Sequence, residues 1–119
     1  MIKGIGIDLI ELDRIKKSME SNIRFVNRIL TQNEKEVFTN IQTDRRKTEF
    51  LAGRFAAKEA FAKAVGTGIG KLSFQHIEIL ADANGAPLLK AKGHQSDTIF
   101  VSITHSRDYA IAQVVIEAK

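Results

Sequence analysis

Cysteine and tryptophan are missing from this chain, tyrosine and proline occur once each, and no apolar stretch approaches the length of a membrane span. Each absence removes a class of explanation. Without cysteine there is no disulfide framework, no zinc–thiolate site and no thiol nucleophile. Seven Phe and one Tyr are a thin supply for a platform on which nucleic-acid bases stack. The opening MIKGIGIDLIELDR meets acids too early for a signal peptide, so a cytoplasmic protein without a membrane partner is expected. No repeat, low-complexity tract or linker divides the 119 residues, which reads as a single domain over 1–119.

What is present is a basic excess, 18 Lys+Arg against 14 Asp+Glu with a sequence pI near 9.5. That balance favours an acidic ligand or partner, whether nucleic acid, a phosphate-rich cofactor or an acidic protein, and composition does not choose among them.

Residues 2–10, IKGIGIDLI, alternate as a strand, with Ile5, Ile7 and Leu9 on one face and Gly4, Gly6 and Asp8 on the other. The isoleucine face is expected to be buried and the glycine face to leave room for a bulky ligand. Residues 11–30 carry helical periodicity. Thr31-Gln-Asn-Glu34 is a capping box that opens a short helix to about Asn40. A long helix runs from about Asp44 to Val65, with Gly66 as its C-terminal stop. Four strands follow: SFQHIEILA, then PLLKAK after an Asn84-Gly85 turn, TIFVSIT, and AIAQVVIE. The order indicates an α+β fold, a mainly antiparallel sheet packed on a long central helix. A mixed sheet with the first strand parallel to a late one is the alternative.

The long helix poses a question. FLAGRFAAKEAFAKAV is apolar or small almost all the way round, a pattern of buried helices, yet it carries Arg54, Lys58, Glu59 and Lys63. Buried charges are costly unless paired or bound to an ion. Lys63, one turn after Glu59, is placed to pair with it, which leaves Arg54 and Lys58 unexplained. Asp8 reads either as a residue of the strand-to-helix junction or as a ligand for a hard cation. Mg²⁺ takes carboxylate oxygens and completes its shell with water and phosphate, so Asp8, Glu59 and Lys63 together suit a magnesium–diphosphate site. The loop GTGIGK, Gly66–Lys71, offers flexible amides to phosphate but lacks the spacing and the following helix of a Walker A loop. His105, in THSRD after the strand TIFVSIT, has hydroxyl neighbours Thr104 and Ser106 that suit a phosphate. His76 and His94 sit in ordinary contexts, and no Ser-His-Asp arrangement is apparent.

Read as one helix, 11–30 gathers Arg14, Lys17, Arg24 and Arg28 into a stripe about 80° wide, a register that a break near Ser21-Asn22 would spoil. Leu12, Ile15, Met19, Ile23, Val26, Ile29 and Leu30 form its core face, and Phe25 falls beside the arginines, away from that core. An aromatic among cations suits the docking of an acidic partner with some apolar surface.

GIGIDLIELDRI, FLAGRFAAKEAFAKAVGTGIG and FVSITHSRDYAIAQVVIE resemble the three signature blocks of the holo-acyl-carrier-protein synthase family of 4′-phosphopantetheinyl transferases, over essentially the whole chain and including the NGAP turn at Asn84–Pro87. The resemblance implies transfer of phosphopantetheine from coenzyme A to a serine of acyl carrier protein, with release of 3′,5′-ADP. It implies that Asp8 and Glu59 hold Mg²⁺, that Lys63 contacts phosphate, and that Arg54, Asn84, His105 and Ser106 surround the 3′,5′-ADP portion, with Gly66 also counted among the coenzyme-binding positions. It further implies a homotrimer with coenzyme A in clefts between protomers, the long helix being covered partly by a neighbour. Larger relatives carry a second acid two residues after the first, where this chain has Ile10; water and diphosphate oxygens are then expected to complete the metal shell. A basic nucleic-acid-binding domain, the competing reading, has no use for Asp8 and a buried Glu59, and no RNP or helix-turn-helix pattern supports it.

Overall fold

The computed structural model describes residues 1–68 and 73–119. A ten-residue strand β1 (Ile2–Glu11) leads into α1 (Leu12–Ser21), α2 (Ile23–Ile29), α3 (Gln32–Thr39) and the 22-residue α4 (Asp44–Val65). After a single 3₁₀ turn (Phe74–His76) come β2 (Ile77–Ala81), β3 (Pro87–Ala91), β4 (Asp97–His105) and β5 (Tyr109–Ala118). The architecture is α+β. One sheet has the order β1-β5-β4 and the other is the hairpin β2-β3; every pairing is antiparallel, which excludes the mixed sheet.

The ends of α4 follow their chemistry. The Thr43 side chain accepts from Arg46 N at the start, and Gly66, at φ 92°, takes the left-handed conformation that closes the helix. The capping box of α3 forms as expected: Glu34 N donates to Thr31 Oγ1 at 3.3 Å and Thr31 N to Glu34 Oε1 at 2.8 Å. Of the GTGIGK loop, Ile69, Gly70 and Lys71 lie outside the described residues.

Three expectations are corrected. The first concerns β1, whose faces are the reverse of those expected. Ile5, Ile7 and Leu9 are 61%, 58% and 54% exposed, while Gly4, Gly6, Asp8 and Ile10 face α4. The glycines leave no room for a ligand, because the helix backbone fills it: a Cβ on Gly6 would lie 1.8 Å from Ala60 O, and one on Gly4 1.9 Å from Ala64 O. Alanines on the helix meet glycines on the strand, and the close approach replaces side-chain bulk with backbone contact. Gly6→Ala is therefore expected to lower stability by at least about 3 kcal/mol, since the added methyl meets rigid backbone. Urea denaturation followed by circular dichroism measures it, and a midpoint within error of wild type would contradict the packing.

The second correction concerns cover for α4. Ala52, Ala56, Ala60, Phe61 and Leu51 are fully buried by the chain's own β1, β5 and flanking helices, so no neighbour is needed to enclose the helix. The uncovered apolar surface is instead the outer face of the sheet, where Phe100 of β4, 54% exposed, joins the three β1 residues.

The third concerns residues 11–30. The helix breaks at Asn22, which is extended (φ −152°, ψ 106°) and whose side chain accepts from Arg24 N to cap α2. Val26, Ile29 and Leu30 keep the core places expected of them, but the residues next to the break do not. Ile23, expected in the core, is 75% exposed, and Phe25 turns inward onto Phe55, with ring centroids 6.2 Å apart.

Candidate active site

β1 and α4 bring Asp8, Glu59 and Lys63 together on the inner face of the sheet. Lys63 Nζ donates to Asp8 Oδ1 and to the Ile7 carbonyl, both at 3.0 Å, so the ammonium pairs with Asp8 across elements and not with Glu59 along the helix. Burial pushes the Glu59 carboxyl above the usual carboxylate range, and the charge of Asp8 adds to that, with Lys63 opposing. Two hard oxygen donors that repel one another are what a divalent cation relieves. Among the described residues no group of three or more His, Asp or Glu is arranged around a common point for a metal. Asp8 and Glu59 thus fit a cation that keeps water and ligand oxygens. Gly66 caps α4 at this same end, one turn past Lys63.

Nearer the start of α4, a cavity of about 360 Å³ is lined by Arg46, Glu49, Phe50, Arg54, Gly85 and His105 among others. Arg54 accounts for its own burial: Nε donates to Ile79 O at 3.3 Å, and the guanidinium lies 4.1 Å from the centroid of the Phe50 ring. Burial draws its pKa below the ordinary guanidinium value, against the pull of Glu34. His105 is the last residue of β4, on the face it shares with Ile103. Asn84 lies in the β2–β3 turn, where its N–H donates to Asp82 Oδ1; its neighbour Gly85, at φ 85°, lines the cavity. Ser106 is exposed and its Oγ accepts from Tyr109 N at 3.2 Å, holding the turn after His105. Asp8, Glu59 and Lys63 do not line this cavity.

A larger cavity, about 770 Å³, lies between α3, the 3₁₀ turn, β3 and the start of β4. Volume alone does not make it the site. Its polar walls are largely occupied with one another: Thr31 Oγ1 donates to Glu78, Gln75 Nε2 donates to the Leu30 carbonyl at 2.9 Å, and Asp97 holds both His94 and Lys3.

Lys58 answers the remaining question about α4. It is fully buried, and its Nζ donates to Glu34 Oε1 at 2.6 Å, Ile29 O at 2.7 Å and Phe74 O at 3.1 Å. Burial lowers its pKa and Glu34 pulls the other way. Glu34 is itself fully buried, its Oε2 accepting from Ile79 N at 2.7 Å. The sequence reading took Glu34 only as a cap. The signal was a second one, an unpaired lysine on a buried helix that required an acid somewhere.

The docking stripe is not one stripe. Arg14 and Lys17 stand on α1, where Lys17 pairs with Asp13 at 3.0 Å, and Arg24 and Arg28 on α2, where Arg28 leans over Phe74 at 5.9 Å. All four are exposed, but Phe25 is half-buried against the core and presents no free anchor.

Asp8 belongs to β1 and His105 to β4, the two edges of the sheet with β5 between them, and Glu59 stands on α4 behind Asp8. Along α4, Glu49 and Glu59 are separated by about 15 Å at 1.5 Å per residue. One chain therefore holds the carboxylate cluster and the cavity apart.

With this geometry in place, comparison is informative. The family model for the 4′-phosphopantetheinyl transferase superfamily matches residues 4–114. A holo-acyl-carrier-protein synthase from Oceanobacillus iheyensis is 56% identical over 119 residues, covering 100% of this chain and 99% of that protein. One from a Geobacillus species is 58% identical over 118 residues, covering 98% of each. Among solved structures, the holo-acyl-carrier-protein synthase from Bacillus anthracis in complex with CoA (3′,5′-ADP) superposes with a TM-score of 0.92 at 51% identity, covering 100% of this chain and 99% of that one. That from Helicobacter pylori in complex with coenzyme A gives 0.82 at 34%, covering 95% and 99%.

Proposed function

Since the chain belongs to the 4′-phosphopantetheinyl transferase superfamily and is an enzyme of the holo-acyl-carrier-protein synthase type, we propose that it moves phosphopantetheine from coenzyme A to a serine of apo-acyl carrier protein, with Mg²⁺ required and 3′,5′-ADP released, for fatty acid biosynthesis. The observation that carries the mechanism is the cluster of Asp8, Glu59 and Lys63, with a Glu59 carboxyl that is both partly desolvated and repelled by Asp8.

Asp8 and Glu59 are the residues to hold Mg²⁺, which when bound supplies charge neutralisation on the diphosphate. Lys63 contacts a phosphate oxygen, since its ammonium is already turned toward Asp8 and remains half-exposed. Arg54 and His105 receive the 3′,5′-ADP portion in the smaller cavity, with the turn at Asn84 and Ser106 closing around it. The serine oxygen bonds to the β-phosphorus as the bridging oxygen leaves with 3′,5′-ADP, and the hydroxyl proton passes to a base. Glu59 is the first choice for that base and Lys63 the second, because raising a carboxylate's pKa improves it as a proton acceptor. Phosphoryl transfer of this kind is driven mainly by positioning and charge.

Two half-sites on opposite edges are completed if a second copy presents its nucleotide cavity to this copy's carboxylates. The exposed outer face of Ile5, Ile7, Leu9 and Phe100 is the apolar surface on which such copies pack, and the closed homotrimer is the assembly that the family resemblance implies. Arg14, Lys17, Arg24 and Arg28 steer the acidic carrier as two short basic segments.

Incubation with apo-acyl carrier protein, coenzyme A and Mg²⁺, followed by intact mass, tests the activity. Addition of one phosphopantetheine to the carrier is expected, and from a preparation that weighs three protomers by light scattering. An unmodified carrier overturns the proposal.

A further inference from the structure

Glu49 is the one acid among the described residues that line the 360 Å³ cavity, where Arg46 and Arg54 supply the cationic side and His105 an imidazole. A carboxylate there repels the phosphates that the cavity is read as receiving, so it needs a compensating role. Its contacts supply one. Glu49 Oε2 accepts from Arg45 Nε at 3.1 Å and stands 3.6 Å from His105 Nδ1. The same Arg45 reaches past it, with Nη2 donating to the carbonyls of Ser106 at 3.3 Å and Arg107 at 2.8 Å, the two residues that follow His105. One guanidinium thus fixes both the carboxylate and the turn that carries the imidazole. The Glu49 side chain is 20% exposed and that of His105 46%, so the carboxylate is the more firmly held of the two.

Which ring nitrogen of a neutral histidine carries the hydrogen is set by what each nitrogen faces, and a carboxylate oxygen 3.6 Å from Nδ1, just outside hydrogen-bond distance, favours the hydrogen there. We propose that Glu49 is a positioning residue for His105: it keeps the hydrogen on Nδ1 and turns the Nε2 lone pair toward a hydrogen-bond donor of the bound nucleotide, its 2′-hydroxyl or adenine amino group. The proposal rests on reading the cavity as the 3′,5′-ADP site, and it adds a residue to that site which the motif comparison did not single out. Arg45 acts in the same unit, as the strut that keeps Glu49 beside the ring and the 106–107 turn closed. The charged groups around the imidazole are Glu49 and Arg45 from α4, Arg46 and Arg54 on the same cavity wall, and Arg107 in the turn.

The test pairs nitrogen-15 NMR of the His105 ring in the free protein with calorimetric titration of 3′,5′-ADP. In wild type, above the range where imidazole protonates, the ring is expected to carry its hydrogen on Nδ1. Glu49→Ala should move the hydrogen to Nε2 and weaken 3′,5′-ADP binding about tenfold, the scale of one charge-assisted hydrogen bond. Glu49→Gln, whose amide oxygen still accepts at Nδ1, should restore the Nδ1–H form and most of the affinity. If Glu49→Ala keeps hydrogen on Nδ1, the proposal is overturned whatever happens to affinity or stability, because a brace or a direct ligand contact would behave that way. A changed tautomer with unchanged affinity overturns it equally. Failure of folded wild type to bind 3′,5′-ADP overturns the cavity reading, and the role toward the nucleotide with it, even where the NMR result is as expected.

Discussion

Asp8→Ala and Glu59→Ala are each expected to lower phosphopantetheine transfer about a thousandfold, roughly 4 kcal/mol of transition-state stabilisation, in a chain that stays folded. Neither side chain contributes much to the fold. Asp8 makes its ion pair with a Lys63 side chain that is 54% exposed, and water replaces the partner when the carboxylate is removed. Glu59 works against the fold in the absence of metal. Burial and Asp8 raise its pKa above the unfolded value, so its contribution to stability is fully present below the unfolded pKa and is lost as pH rises through the folded one. At neutral pH in a chelator, Glu59→Gln is therefore expected to be at least as stable as wild type while turnover collapses. The measurements are kcat/KM by carrier mass shift and Tm in chelator. Near-normal turnover of both alanine variants, or a fall in Tm for Glu59→Gln, would remove these residues from the metal and base roles.

The largest effect on stability is expected at the Lys58–Glu34 pair. Taking away one partner of a fully buried, hydrogen-bonded ion pair leaves an uncompensated charge and costs about 3–5 kcal/mol. Glu34→Ala is the sharper of the two singles, because it also orphans the N–H groups of Thr31 and Ile79 and strips Lys58 to two carbonyl partners. Against a total stability of about 5–15 kcal/mol for a domain, that is a large fraction. Lys58→Met leaves Glu34 with its backbone donors and should cost less. The double variant Glu34→Leu/Lys58→Met should recover part of the loss, since an apolar pair needs no charge compensation. Urea midpoints for wild type, Glu34→Leu, Lys58→Met and the double variant give the coupling energy. A Glu34→Ala midpoint within error of wild type would mean the buried pair is dispensable.

The misplaced face of β1 and the unbroken first helix share a cause. Periodicity reports which residues lie on the same side of an element, and says nothing about which side is covered. In β1 the reading assigned the bulky side to the core, as hydrophobic burial suggests, yet α4 chose the side with no side chains, because Gly4 and Gly6 let helix backbone approach where isoleucine would hold it off. In 11–30 the apolar spacing ran smoothly through Asn22, but its extended backbone and its cap on Arg24 N reset the rotation by which Phe25 had been placed outside. Ser21-Asn22 is the place where the spacing allowed a break, and the Asn22 cap makes it one.

Local chemistry alone determined the ends of α3 and α4, the Asn84-Gly85 turn, and the requirement that the charges of α4 be answered, since caps, glycine conformations and burial costs act within a few residues. Which partner answers each charge was decided by tertiary structure. Glu34 meets Lys58 across 24 residues and Asp8 meets Lys63 across 55. Such pairs depend on where β1, α3 and α4 come to rest. Sequence spacing carries no distance once the chain has turned back on itself.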